Sequence, residues 1–122
     1  MSDTCIAIME TVKKHSGRDD VPFGLNIAAP RDPSDNERLY AAGARSVVYD
    51  LEVWDRNMFK AICPGKAKNL GRETYERGLD AAVPVFGKGN VYTQLVMGLE
   101  EKAHYFEAAQ ALATVAFGTL GL

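Results

Sequence analysis

Cysteine is scarce, with Cys5 and Cys63 the two among 122 residues. They stand far apart in unrelated local settings, which suits a reducing compartment better than a disulfide framework. Long hydrophobic runs are missing as well. The apolar stretch from Cys5 to Met9 lies between Asp3 and Glu10 and is too short for the core of a signal peptide. Ala108 to Leu122 is mostly apolar, but Gln110 and two threonines interrupt it, and a spanning helix needs ~20 apolar residues. No membrane segment is read, and a cytoplasmic setting is expected. Nor is basic charge in excess: 14 Lys and Arg against 16 Asp and Glu give a net charge of -2 and a pI near 5.6. No positive field is available to collect a phosphate backbone, so nucleic acid is not an expected partner. Histidine occurs only as His15 and His104. Neither has a second ligand at recurring metal spacing, and both are read as surface or capping residues.

What is present suffices for one modest core. Hydrophobic residues make up 47% of the chain, and the length fits one domain or part of a larger one, but not two. Cys5, Ile6, Met9 and Val12 recur at helical spacing behind a cap at Ser2 or Asp3, and Gly17 supplies a stop, which predicts a helix from about Thr4 to His15. Phe23, Leu25 and Ile27 alternate with Gly24, Asn26 and Ala28 before Ala29-Pro30, the pattern of a short strand. Ser34 and Glu37 have the spacing of a capping box and Gly43 sits where a C-terminal glycine belongs, so a second helix is expected over Asp35 to Ala42. Ser46 to Glu52 begins β-branched and aromatic and ends acidic, as a strand leaving the core for a polar rim.

A long connection to Gly71 follows, with a helical turn around Asn57 to Ala61 and a turn demanded by Pro64-Gly65. From Arg72 to Phe86, the residues Tyr75, Leu79, Val83 and Phe86 share a helical face, with Pro84 expected to kink or end the helix early. Gly87-Lys88-Gly89-Asn90 forms a turn, Val91 to Met97 reads as a strand, and Tyr105, Phe106, Ala109, Leu112 and Ala113 trace a last helical face. The expected class is α/β with about three parallel strands in the order αβαβαβα. Ligands of such folds sit at the carboxyl ends of the strands.

Several groupings near those ends carry chemistry. Asp50 and Glu52 lie two apart in a strand and so share one face where it meets the loop. They suit sugar hydroxyls or an ammonium group, but equally would cap the next helix or pair with Arg56 at the solvent edge. Cys63-Pro64-Gly65-Lys66 brings a thiol and a cation to one turn. With no paired histidine, the favoured reading is that Ile62 and Cys63 pack inward and Lys66 is solvated. Gly87-Lys88-Gly89 precedes a strand, whereas phosphate-cradling glycines follow a strand and open a helix. Gly98, with Glu100 and Glu101, does follow a strand and lead into a helix. It offers close backbone approach to a flat ligand, or simply a helix start with N-terminal carboxylates.

Four segments stand in a recognisable order: Tyr49-Asp50-Leu51-Glu52-Val53-Trp54-Asp55, Ile62-Cys63-Pro64-Gly65-Lys66, Gly71-Arg72-Glu73-Thr74-Tyr75 and Val96-Met97-Gly98-Leu99-Glu100. Together they resemble the middle of radical S-adenosylmethionine proteins related to biotin synthase, over roughly Val21 to Glu107. The resemblance implies that residues 1–122 form a single partial TIM-like (βα) barrel domain. In that family a [4Fe-4S] cluster on a CxxxCxxC loop reduces S-adenosylmethionine, and the released 5′-deoxyadenosyl radical abstracts hydrogen from a substrate.

By the same resemblance, Phe23 to Ala29 matches the family's third strand and Ser46 to Glu52 the fourth, so that Asp50 and Glu52 would contact the ribose and amino groups. Val91 to Gly98 matches the fifth, where the pattern G-x-I-x-G-x-x-E reads as Gln94-Leu95-Val96-Met97-Gly98-Leu99-Glu100-Glu101. Val96 would contact adenine, Gly98 and Glu101 would shape the turn, and Gln94 replaces the first glycine. The family's carboxylate-binding arginine falls on Gly78, leaving Arg77 one residue away, about 100° around a helix, with Arg72 a second choice. The sequence contains no CxxxCxxC, no strands are read before Phe23, and no further strand is read beyond Ala109. Cys5 and Cys63 do not replace the missing triad, so the chain alone is expected to bind no iron–sulfur centre and to hold no catalytic residue.

Two expectations from different classes result. One is a fragment of a radical S-adenosylmethionine enzyme that contributes the adenosyl-binding face for a small-molecule ligand and is inactive alone. The other is a noncatalytic α/β domain that binds a partner chain or a copy of itself across open sheet edges. An eight-stranded barrel takes ~250 residues, so a chain with about three strands is expected to be marginally stable, or to associate with itself or with the missing barrel half.

Overall fold

The alternation from Ala44 to Val53 governs the architecture. Val47, Tyr49, Leu51 and Val53 are fully buried, while Ser46, Val48, Asp50 and Glu52 between them are half-buried. One face of this strand therefore lies under helices and the other is open. The computed structural model describes residues 1–115. The elements run α1 (Ser2–Ser16), β1 (Phe23–Asn26), α2 (Asp35–Ala42), β2 (Ala44–Val48), α3 (Arg56–Ile62), α4 (Pro64–Asn69), α5 (Arg72–Phe86), β3 (Val91–Tyr92) and α6 (Lys102–Val115). The strands form one parallel sheet in the order β1-β2-β3. This is the expected α/β class, with α3 and α4 filling the long connection.

Helices gather on one face of the sheet. α2 and α5 each pack on β2 and on each other, with α1 against α2 and α6 against α5. On the opposite face Asn26, Val48 and Tyr92 stand in register across the strands, and Asn26 and Tyr92 are exposed. The strands are shorter than the sequence predicts. Past Val48 the backbone pairing of β2 is interrupted where Leu51 N–H turns to Thr93 Oγ1 at 3.1 Å, and it resumes at a bridge between Glu52 and Leu95.

Local departures from expectation have local causes. The Ser34 side chain caps nothing. Its N–H and hydroxyl both donate to Asp32 Oδ1, at 2.9 and 2.8 Å, because an ionised carboxylate is the stronger acceptor. At α1 neither Ser2 nor Asp3 is the cap, since the helix already includes them, and Met1 takes that place. Val12 is 41% exposed, so the packed side of α1 is Cys5, Ile6 and Met9. Pro64 opens α4 instead of forming a turn, because proline's missing N–H is unneeded at a first helical position.

Pro84 does not stop α5 short of Phe86. It sits in the last turn, where Gly87 N–H still closes on Val83 O at 2.9 Å. On α6, Phe106 is 61% exposed and Ala109 is exposed as well, whereas Ala108 is buried. The packed stripe is thus Tyr105, Ala108 and Leu112, rotated from the expected face. The remainder of the C-terminal apolar stretch lies outside the described residues. Among the described residues no helix is long and apolar enough to cross a membrane.

Two contacts fix β2 against its helices. The Tyr49 hydroxyl donates to Asn36 Oδ1 at 2.6 Å, and the Asn36 amide donates to Pro33 O at 2.9 Å. Both residues are fully buried, and burial pushes the Tyr49 phenol far above its ordinary pKa, so it remains a neutral donor. Gly78 lets α5 come close, since a Cβ there would stand 3.0 Å from Ala29 Cβ. Replacing Tyr49 by Phe leaves Asn36 Oδ1 buried and unpaired. We predict a loss of about 1–2 kcal/mol in urea unfolding; an unchanged midpoint would show that this bond does not hold α2 to the sheet.

Candidate functional site

The carboxyl ends of β2 and β3 meet at Glu52. Its φ of 68° makes it the one non-glycine residue with a left-handed backbone among the described residues, a conformation costing about 1–2 kcal/mol. Its N–H donates to Gln94 O at 2.9 Å and its carbonyl accepts from Val96 N–H at 2.8 Å. The Lys66 ammonium, from α4, donates to Glu52 Oε1 at 2.7 Å and to Asp50 O at 2.9 Å. Lys66 is therefore not the solvated residue expected from sequence: with α4 starting at Pro64, its side chain folds back onto the end of β2. The pair is about one-third exposed, at 31% and 32%, so its value is positional more than energetic.

The structural alternatives for Asp50 and Glu52 are not realised. The cap of α3 is Asp55, whose carboxylate accepts from Asn57 N–H at 2.9 Å and Met58 N–H at 2.8 Å. These bonds hold its pKa below the usual carboxylate range. Arg56 turns away to Glu73 and Glu76. Asp50 Oδ1 is buried with no partner, and so is the hydroxyl of the fully buried Tyr75. The Lys66 ammonium lies 5.4 Å from the Tyr75 ring centre. Burial raises the pKa of both the Tyr75 phenol and the Cys63 thiol, against the opposing pull of Lys66. Cys63 thus stays a protonated thiol and a poor nucleophile.

Val96, Gly98 and Glu101 continue the rim in the segment beyond β3. Val96 is 44% exposed, Gly98 has a φ of 91°, and Glu101 is exposed. A cavity of about 410 Å³ opens here, lined by Met58, Gly98, Leu99, Glu100, Glu101 and His104. Sequence reasoning treated Glu100 as a helix-start carboxylate, yet its side chain is fully buried. It accepts from Trp54 N–H at 2.6 Å and Asp55 N–H at 2.5 Å, joining the end of β3 to the start of α3. Tyr105 sets the same loop by donating to Val96 O at 2.8 Å and accepting from Leu99 N–H and Glu100 N–H at 3.1 and 3.2 Å. His104 is not a plain surface residue, because its Nδ1 is buried 3.6 Å from Glu100 Oε2.

Arg77 lies on the exposed side of α5 and makes no hydrogen bond or ion pair with Asp50 or Glu52, while its neighbour Gly78 packs against Ala29 and Tyr49. Arg72 is buried, stacked 4.1 Å from the Trp54 ring centre and bonded to Glu76 Oε1 at 2.8 Å. Neither arginine reaches the Asp50–Glu52 pair. Among the described residues no group of three His, Cys, Asp or Glu side chains is arranged to hold a metal, and the two cysteines are both free. The residues present do not fit an iron–sulfur cluster.

No protein-family profile matches the chain, and no solved structure does. Among curated proteins, bacteriochlorophyllide c C-7(1)-hydroxylase of Chlorobaculum limnaeum is 40% identical over 76 residues, covering 62% of this chain and 19% of that protein. The chain thus spans about one-fifth of the length of the relative it matches.

Glu100→Ala would strip two backbone donors of their acceptor. We predict a destabilisation of about 2–3 kcal/mol and faster amide exchange at Trp54 and Asp55. Exchange that stays slow at both residues would mean that the carboxylate is not what holds them.

Proposed function

We propose that this chain is a segment of a radical S-adenosylmethionine enzyme whose sheet rim supplies the adenosyl-binding face. The observation that carries this is the left-handed Glu52, tied by two backbone hydrogen bonds to the segment after β3, beside an Asp50 oxygen that is buried and unpaired. Strained backbone and unsatisfied polar atoms concentrate where ligands bind. Asp50 and Glu52 would accept from ribose hydroxyls and the ligand ammonium, Val96 would lie against adenine, and Gly98 with Glu101 would shape the loop around it. The spacing of Asp50 and Glu52 keeps the biotin synthase-like arrangement as our closer reading.

In such an enzyme, bound S-adenosylmethionine would supply hydrogen-atom abstraction. This chain's residues bind and orient the ligand, and the cluster thiolates would come from polypeptide outside this sequence. The segment alone would then be inactive. The named activity of the relative is hydroxylation, chemistry that replaces a C–H bond, and we extend to this chain only that class of target. The open sheet face with exposed Tyr92 and Val96 favours a partner that completes the barrel, or a second copy of the chain, in a cytoplasmic setting.

Calorimetric titration of the purified chain with S-adenosylmethionine tests the reading. We expect binding by the wild type and at least a tenfold loss in Asp50→Ala and Glu52→Ala, with thermal unfolding confirming that both variants fold. A well-folded wild-type chain that binds nothing would overturn the adenosyl site and leave a noncatalytic α/β domain.

A further inference from the structure

The cavity of about 410 Å³ beyond β3 contains a pairing that the adenosyl reading does not use. Among its lining residues the Glu100 side chain is completely buried, and the groups bonded to its carboxylate are neutral, the N–H groups of Trp54 and Asp55. A buried charge held by neutral donors alone favours a counter-charge nearby. His104, four residues on, is placed to carry one. Its Nδ1 lies 3.6 Å from Glu100 Oε2 and is enclosed with no partner. The two ring nitrogens have different surroundings. The His104 side chain as a whole is 29% exposed and lines the cavity. Nε2 is neither enclosed nor hydrogen-bonded to any described residue, so it is the nitrogen left to an occupant.

A carboxylate facing Nδ1 keeps the proton on that nitrogen and leaves the lone pair on Nε2, the arrangement in which an imidazole works as a general base. The separation of 3.6 Å is longer than a hydrogen bond. Such bonds are commonly long in unliganded sites and tighten when a ligand enters. Glu100 Oε2 accepts from Asp55 N–H and retains a second lone pair for His104. Other charged groups surround the pair. Asp55, at the cap of α3, is held below the usual carboxylate range first by Met58 N–H and in smaller part by His104 and Arg72. Glu101 is exposed at the cavity rim, and the Lys102 ammonium lies 5.8 Å from the Phe106 ring centre.

We propose that Glu100 and His104 form a proton-transfer pair serving a small molecule in this cavity, one that presents an O–H or N–H group beside the apolar side chains of Met58 and Leu99. The O–H or N–H bond of that group breaks and its electron pair stays on the ligand atom. The proton joins the Nε2 lone pair, leaving an imidazolium that faces Glu100, and the reverse step returns it. No change of oxidation state and no further reactant is involved. His104 is the residue that meets the ligand; Glu100 is a positioning residue. The pair handles a proton and not a hydrogen atom, so the proposal goes beyond the adenosyl reading and does not depend on it.

NMR of the full chain with ¹⁵N in its histidines reads which ring nitrogen carries the proton. Free histidine favours Nε2–H. We expect neutral His104 as the Nδ1–H form and the exposed His15 as the Nε2–H form. Diethyl pyrocarbonate, which acylates a free imidazole lone pair, is the second probe, applied at about pH 8 where imidazole is ordinarily neutral. His104 should react roughly threefold faster than His15, because its lone pair faces outward and is oriented. Glu100→Gln keeps an acceptor for the Trp54 and Asp55 N–H groups. It should move the proton of His104 to Nε2, turning the lone pair to the enclosed edge of the ring, and slow acylation there about fivefold or more with His15 unchanged. An Nε2–H form of His104 in the wild type, or an acylation rate that Glu100→Gln leaves unaltered, would overturn the proposal and leave Glu100 as a clamp on its loop. The wild-type tautomer is read without any variant, so the test stands even where Glu100→Gln fails to fold.

Discussion

At Glu52 the chain adopts a left-handed backbone inside what is otherwise an extended run, and four contacts keep it there. Two are backbone hydrogen bonds to Gln94 and Val96; the others are the Lys66 ammonium on its carboxylate and the same ammonium on the carbonyl two residues earlier. An isolated residue would relax out of this conformation, since it costs about 1–2 kcal/mol. Held from β3 on one side and α4 on the other, it instead joins two strand ends into one rim. The placement of Asp50, Val96 and Gly98 relative to each other depends on that junction.

The rest of the fold supports the rim from below and behind. Tyr49 and Asn36 lock β2 to α2 through a buried neutral hydrogen bond, and Gly78 admits α5 against Ala29 and Tyr49. Glu100 does for the second half of the rim what Lys66 does for the first, gripping the backbone of Trp54 and Asp55. Both devices are charged side chains reaching back to main-chain groups. They leave the other face of the sheet uncovered, with Asn26 and Tyr92 exposed.

Much of this was legible in the sequence, for physical reasons that also explain the failures. Alternation through Val47, Tyr49 and Leu51 and the glycine stop at Gly43 are local signals, and the second strand and α2 followed from them. The acidic end of β2 announced Asp50 and Glu52. What escaped was set by tertiary competition. Ser34 lost its side-chain bond to Asp32, Pro64 became a helix start, and on α6 it is Ala108 and not Phe106 that is buried. Lys66 and Glu100 were read as solvated or merely electrostatic because spacing cannot say which main-chain groups a long side chain will reach. Tyr75 was visible only as one apolar position on a helix, with nothing local to reveal that its hydroxyl ends buried and unpaired.

The most direct measurement is an amide NMR titration of the chain labelled with ¹⁵N, adding S-adenosylhomocysteine. Saturable shifts concentrated at Asp50, Glu52, Lys66, Val96 and Gly98, with the β1 end and α1 unmoved, are expected if the joined strand ends are the ligand face. Saturable shifts confined to another surface, such as the exposed side of α1 at Ile8 and Val12, or no shifts in a chain with a well-dispersed spectrum, would contradict it.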